Sequence, residues 1–176
     1  MTRYPAAGAG RQDLGSSGSG RRPSIGAPVR TFDRAALRRH LDDAGLTIPE
    51  LATRLRMGRP RVSEWVHGHH APSPAKLVAA ARLLGCQPWE LTTARPDTAE
   101  LYDLRVWTGR TLRELAAATG IPFGTLARLE AGHFVGAPAR LERLAAELDT
   151  DPATVAAALD RSRNRYQRRR DEQRPR

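Results

Sequence analysis

One octapeptide pattern occurs twice in the chain. Gly45-Leu46-Thr47-Ile48-Pro49-Glu50-Leu51-Ala52 returns as Gly109-Arg110-Thr111-Leu112-Arg113-Glu114-Leu115-Ala116, 64 residues further on. The same offset carries Gly68 onto Gly132, Leu77 onto Leu141, Leu84 onto Leu148 and Pro88 onto Pro152. A register held over such a span without insertion marks a duplicated unit of several helices, and it restricts the chain to folds with two like halves. In a chain of 176 residues, each half has about 60, near the lower limit for an independent core.

The punctuation of each half is that of short helices. Thr47 with Glu50, and Thr111 with Glu114, have the spacing in which a hydroxyl accepts the third amide of a helix while the carboxylate reaches back to the cap. Pro49 is tolerated in that first turn, where its missing amide would have no intrahelical partner. Ser73-Pro74 and Asp151-Pro152 are further cap-then-proline starts, and Gly85 fits a helix stop. No segment alternates as a strand does. The pattern predicts helices over residues 33–44, 48–56, 59–67, 74–84 and 88–93, then over 97–108, 112–119, 123–131, 138–148 and 152–160. The fold expected is all-α: two tandem five-helix units, residues 31–96 and 97–160, joined by a short segment near residues 92–98. Leu37, Leu51, Leu55, Val62, Trp65, Leu77, Leu83 and Leu84 are the expected first core. Leu101, Leu115, Leu126, Leu129, Leu141, Leu144 and Leu148 are the second.

The flanks differ in composition. Residues 1–30 are rich in Gly, Ser, Ala and Pro and are expected to form a flexible arm. Residues 161–176 hold eight arginines against Asp171 and Glu172, a basic tail that either extends the last helix or stays disordered. The formal charge of +10 and a pI near 11.2 favour a polyanionic partner. Because Lys76 is the sole lysine, a GC-rich genome, which favours arginine codons, offers a competing origin for the total, so the placement of charge matters more.

Several classes of function lack residues to support them. Cys86 is the single cysteine, so no intrachain disulfide can form, and a reducing compartment is natural. No apolar run approaches a transmembrane length. Arg21-Arg22 precedes no apolar export region. A cytoplasmic, nucleoid-associated location is expected, without a membrane partner. His67, His69, His70 and Cys86 lack useful ligand spacing, so no metal or other cofactor is expected. With no nucleophile-base pattern and no phosphate-cradling loop, nothing supports an enzyme.

In each half a short capped helix ends in a brief turn and a second short helix follows, as in residues 47–55, the turn Arg56-Met57-Gly58, and residues 59–67. That is helix-turn-helix spacing. Ala52 and Ala116 fall where the two helices must approach closely, and Met57 and Ile121 bury the turn.

At these positions the chain resembles the Xre and lambda-repressor-like family of DNA-binding domains. The second unit carries the likeness best, in Leu104-Arg105, Gly109, Thr111, Glu114-Leu115-Ala116, Gly120-Ile121, Thr125-Leu126, Arg128-Leu129-Glu130 and Gly132. The first keeps Gly45-Leu46-Thr47, Glu50-Leu51-Ala52, Val62-Ser63 and Gly68, but has Arg56 at the usual turn glycine, Gly58 at the usual polar cap and Val66 at the usual glutamate. The resemblance implies a regulator that binds duplex DNA, by family role a repressor, with the third helix of a unit in the major groove.

By that resemblance the base readers of the first unit are Arg59, Arg61 and Glu64. Either arginine can pair with guanine or contact phosphate, and Glu64 can accept from cytosine. Thr47, Arg54, Arg56 and Ser63 are the expected phosphate contacts. In the second unit the corresponding readers are Thr125 and Arg128, with Phe123 able to touch a thymine methyl.

Residues 31–96 carry ten basic and six acidic side chains, whereas residues 97–160 carry six and ten. This contrast suggests that the first unit reads DNA while the second has moved toward packing, homodimerisation or partner binding. The alternative for the whole chain is an adaptor or antitoxin-like protein that holds a partner through its acidic second unit and touches DNA only non-specifically.

Overall fold

The computed structural model describes residues 26–134 and 137–174. Most of the expected flexible arm, with Arg3, Arg11, Arg21 and Arg22, lies outside the described residues. The architecture is all-α; among the described residues the one β element is an isolated antiparallel bridge between Phe32 and Thr92.

The first unit comprises α1 (Arg34–Asp43), α2 (Ile48–Arg54), α3 (Arg59–His67), α4 (Pro74–Leu84) and a 3-10 turn at Pro88–Leu91. The expected fifth helix is thus a single tight turn. Its amides are met locally, with Gln87 donating to the Glu90 carboxylate at 2.6 Å and Thr92 donating to the Trp89 carbonyl at 3.0 Å. The second unit comprises α5 (Leu101–Trp107), α6 (Leu112–Thr119), α7 (Phe123–Glu130), α8 (Pro138–Glu147) and α9 (Pro152–Glu172).

Both threonine-glutamate caps form as the spacing predicts. The Thr47 amide donates to Glu50 Oε2 at 2.8 Å and the Thr111 amide to Glu114 Oε2 at 2.7 Å, and each hydroxyl accepts the glutamate's own amide in return. The left-handed backbone positions also recur in register: Gly45 with Gly109, Gly68 with Gly132, Arg56 with Gly120, and Gly85 with Asp149 all have positive φ. Duplication therefore reaches below the sequence pattern to the backbone itself.

Two features differ from expectation, and of the two alternatives for the basic tail the structure takes the helical one. Val29, placed by composition in the arm, is buried in the first core, its amide donating to the Pro72 carbonyl at 2.9 Å. α5 begins at Leu101 rather than near residue 97, because Glu100 and Asp103 form a capping box there. α9 runs through the arginine tail to Glu172. Ser162 is fully buried, Arg161 Nε donates to the Ala99 carbonyl at 2.6 Å, and Arg165 pairs with Glu100 at 2.8 Å. These contacts fold the first half of the tail onto the second unit.

α5 belongs to both cores. Tyr102 and Val106 pack into the first, Leu101 and Leu104 into the second, and Trp107 touches both. Hydrogen bonds reinforce the junction: the Arg30 amide donates to Tyr102 Oη at 2.8 Å, Thr31 Oγ1 to Asp103 Oδ1 at 3.1 Å, and Trp107 Nε1 to Thr92 Oγ1 at 3.2 Å. A helix with apolar residues on opposite sides must be covered on both, and here two cores share the covering.

Candidate nucleic-acid interface

The first pair of helices is set by the Thr47 cap at one end and by Leu51, Ala52, Val62, Trp65 and Val66 beneath. Arg59, Pro60 and Arg61 are left exposed at the start of α3, and Ser63 and Glu64 are half-buried beside them. Arg61 Nη1 lies 3.3 Å from Glu64 Oε2, so two of the expected readers hold each other in the free protein. Thr47, Arg54 and Arg56 are exposed around the same helix pair, as phosphate contacts require. Ser63 Oγ sits 3.2 Å from His67 Nδ1, which also contacts the Ser63 carbonyl at 2.7 Å. His67 is thereby engaged within its own helix.

The second pair repeats the geometry with different chemistry. Phe123 and Gly124 are exposed at the start of α7, Thr125 is half-buried and Arg128 is exposed one turn on. Beneath α7, Glu130 is buried and takes a bidentate ion pair from Arg105, at 2.5 Å from Nε and 3.2 Å from Nη2. Arg105 Nη1 also donates to the Arg110 carbonyl at 2.7 Å, so the guanidinium ties α5, α7 and the start of the repeated motif together.

The start of α4 and the cap of α6 adjoin. Gly26 stands between the start of α4 and the cap of α6: a Cβ there would lie 2.6 Å from Thr111 Cγ2 and 3.4 Å from Pro74 Cδ. Gly26, Arg61 and Trp65 border one groove of the first unit.

A helix-turn-helix family model matches residues 37–91 and again residues 101–155. The chain belongs to the lambda-repressor-like helix-turn-helix family. DNA binding is the role this family assigns to such a chain, and its two matched segments coincide with the two capped helix pairs. Comparison with curated proteins and with solved structures gave no match. In this helix-turn-helix protein, α3 and α7 are the second helices of the two capped pairs.

Sequence reasoning missed the aromatic partners of the second unit's arginines. Arg113 lies over the Phe123 ring at 5.5 Å and Arg128 over Phe134 at 4.0 Å. An aromatic residue, Phe123, at an expected reading position was the available signal. Cys86 packs against the first core, where burial, with the Glu90 charge second, pushes its thiol up to about 11. It is therefore protonated at neutral pH. Among the described residues no helix is long and apolar enough to cross a membrane.

Proposed function

We propose that the chain is a sequence-specific regulator of transcription, a repressor by the family's usual role, which reads duplex DNA chiefly with α3. The observation that carries this reading is the exposed Arg59 and Arg61 at the start of a helix whose other face is locked into the core. Arginine at such a position reaches guanine O6 and N7 in the major groove, and Glu64, on leaving Arg61, accepts from cytosine N4. Thr47, Arg54, Arg56 and Ser63 grip the flanking phosphates and set the register. Thr125 and Arg128 are the matching groups of α7. Exposed Arg163, Arg168, Arg169, Arg170 and Arg174 of α9 and its end add salt-dependent affinity without sequence preference. Such a protein works in the cytoplasm, on the nucleoid, and needs no cofactor.

The test is selection of bound duplexes from a random library at about 150 mM salt, where non-specific binding is much weakened. A defined motif is expected, and Arg59→Ala with Arg61→Ala should remove its core, each guanine contact being worth about 1–3 kcal/mol. Absence of any enriched motif would overturn this reading and leave partner binding through the second unit as the function. A motif that is palindromic at twice the length one chain can span would add homodimerisation.

A further inference from the structure

The arginine-rich part of α9 closes a concavity against α5, α7 and the chain that leads into α1. Its volume is about 410 Å³, within the range of roughly 300–1,000 Å³ in which small molecules are bound. Arg30, Arg165, Arg169, Tyr102, Tyr166 and His133 line it, and it borders α7 at Glu130.

The charges of this wall do not cancel. Among the described residues Glu130 is its one carboxylate, and that group is already taken by Arg105 in the buried ion pair. Arg165 is held by Glu100 at 2.8 Å and by the Glu130 carbonyl at 3.2 Å. Arg30 and Arg169 have no carboxylate partner among the described residues. Two acids lie just beyond, in an adjoining concavity, and both are engaged: Glu100 by Arg165, Asp103 by the Thr31 hydroxyl at 3.1 Å and the Glu100 amide at 3.0 Å. Arg30 is nonetheless held in place. Its guanidinium carbon lies 3.9 Å from the centre of the Tyr102 ring, and its amide donates to Tyr102 Oη. Stacking engages the flat face of a guanidinium and leaves its in-plane N–H groups free to donate.

We infer that this concavity is a binding site for a small phosphate monoester, an effector rather than a cofactor. Its phosphate lies between Arg30 and Arg169, and its organic group lies against Tyr166 and His133. Two unpaired guanidinium groups facing one cleft call for an anion of two charges. A phosphate monoester carries close to two at neutral pH and presents three free oxygens, enough for two forks at once. A carboxylate is filled by one fork, and a phosphodiester of the DNA backbone has a single charge and two free oxygens, so either leaves an arginine unsatisfied. The rings of His133 and Tyr166 stand 4.3 Å apart at 46° and offer the organic group an aromatic surface. Occupancy clamps Arg30 and α9 onto the flank of α7, which gives a small molecule a grip on one helix pair of the DNA-binding fold. The inference does not depend on which helix reads DNA.

The experiment titrates the full-length protein, free of DNA, with phenyl phosphate by isothermal calorimetry at about 150 mM salt, where diffuse attraction between exposed charges is screened. One saturable site per chain is expected. Phenol, which lacks the phosphate, should not bind, and inorganic phosphate, which lacks the ring, should bind more weakly. Arg30→Gln and Arg169→Gln should each weaken phenyl phosphate by about tenfold or more, the scale of one lost charge-assisted contact. Arg82→Gln removes the same charge from the end of α4, outside the wall, and should leave the affinity unchanged. All three arginines are exposed, so the fold should hold, and thermal melting checks it. Phenyl phosphate should also raise the melting temperature of wild type and not that of Arg169→Gln. Excess random-sequence duplex should leave the probe bound.

No saturable binding, or equal weakening by Arg82→Gln, would overturn the inference and leave the DNA-reading function standing. Displacement of the probe by random-sequence duplex would assign Arg30 and Arg169 to the DNA backbone and also overturn it. Equal affinity for inorganic phosphate would overturn the choice of an ester.

Discussion

At one place in the fold the two units solve the same packing problem in opposite ways. In the first, Leu41 of α1 and Val66 of α3 are buried in an apolar core. At the matching positions of the second, Arg105 of α5 and Glu130 of α7 form a buried ion pair, each less than 10% exposed. The surrounding backbone keeps the same helices, caps and left-handed turns. The repeated fold is thus specified by its chain reversals and capped starts, and the core accepts either chemistry so long as the pair is changed together. An isolated buried charge would be a different matter, because desolvation has no compensation without its partner.

Glu130→Val alone should therefore destabilise the protein by about 3–5 kcal/mol, since it strands the Arg105 guanidinium. Arg105→Leu with Glu130→Val copies the first unit and should return to within about 1 kcal/mol of wild type or exceed it. Urea denaturation followed by circular dichroism measures both. A single variant that costs less than about 1 kcal/mol would mean that water reaches Arg105, and the comparison of the two cores would fail.

The parts of the molecule that sequence revealed are those governed by local rules. Thr47 with Glu50 and Thr111 with Glu114 announce helix starts because cap and carboxylate lie three residues apart. The turn after α2 follows from small and apolar residues at fixed offsets. Arg59, Arg61 and Arg128 could be placed on exposed helix faces for the same reason. What stayed hidden depends on distant segments meeting. Nothing adjacent to Ser162 in the chain says that it will be buried, since that follows from the Gly132 backbone lying against its carbonyl. The stack of Arg128 on Phe134 crosses the end of α7. The role of α5 was partly visible, because Leu101, Tyr102, Leu104, Val106 and Trp107 leave it no polar face except Asp103 and Arg105, and both of these are paired.

A smaller contrast lies in the turns. Arg56 has φ +52° where the second unit has Gly120 at +64°, and Asp149 has φ +52° where the first has Gly85 at +69°. A side chain in this region meets its own carbonyl, at a cost of roughly 1 kcal/mol, and Asp tolerates it better than Arg. Arg56→Gly should raise stability by about 0.5–1 kcal/mol, part of the relief being offset by the freer unfolded chain. It should also weaken DNA binding uniformly across sequences, as loss of a phosphate contact does. Asp149→Gly should gain less and leave binding alone. Thermal melting and competition binding separate the two effects, and equal gains at both sites would show that the residue type does not matter to these turns.

The smallest expected difference concerns acid. Hydrogen bonds from Thr47 hold the Glu50 carboxyl below the ordinary glutamate value of 4.5, the hydroxyl contributing most and the amide next. At Glu114 the order is reversed, with the Thr111 amide first and the hydroxyl second. A carboxylate whose folded pKa is lowered contributes stability that is complete above its unfolded pKa and is lost as pH falls through the folded one. Both caps should therefore hold at neutral pH and loosen only below about pH 4.5, where the glutamates begin to protonate. Substituting alanine removes the hydroxyl and keeps the amide. Thr47→Ala should accordingly flatten the acid dependence of helicity more than Thr111→Ala does, because the hydroxyl is the larger of the two contributions in the first unit and the smaller in the second. Far-ultraviolet circular dichroism on descending pH reads the two directly, and identical flattening would mean that the two caps hold their carboxylates in the same way.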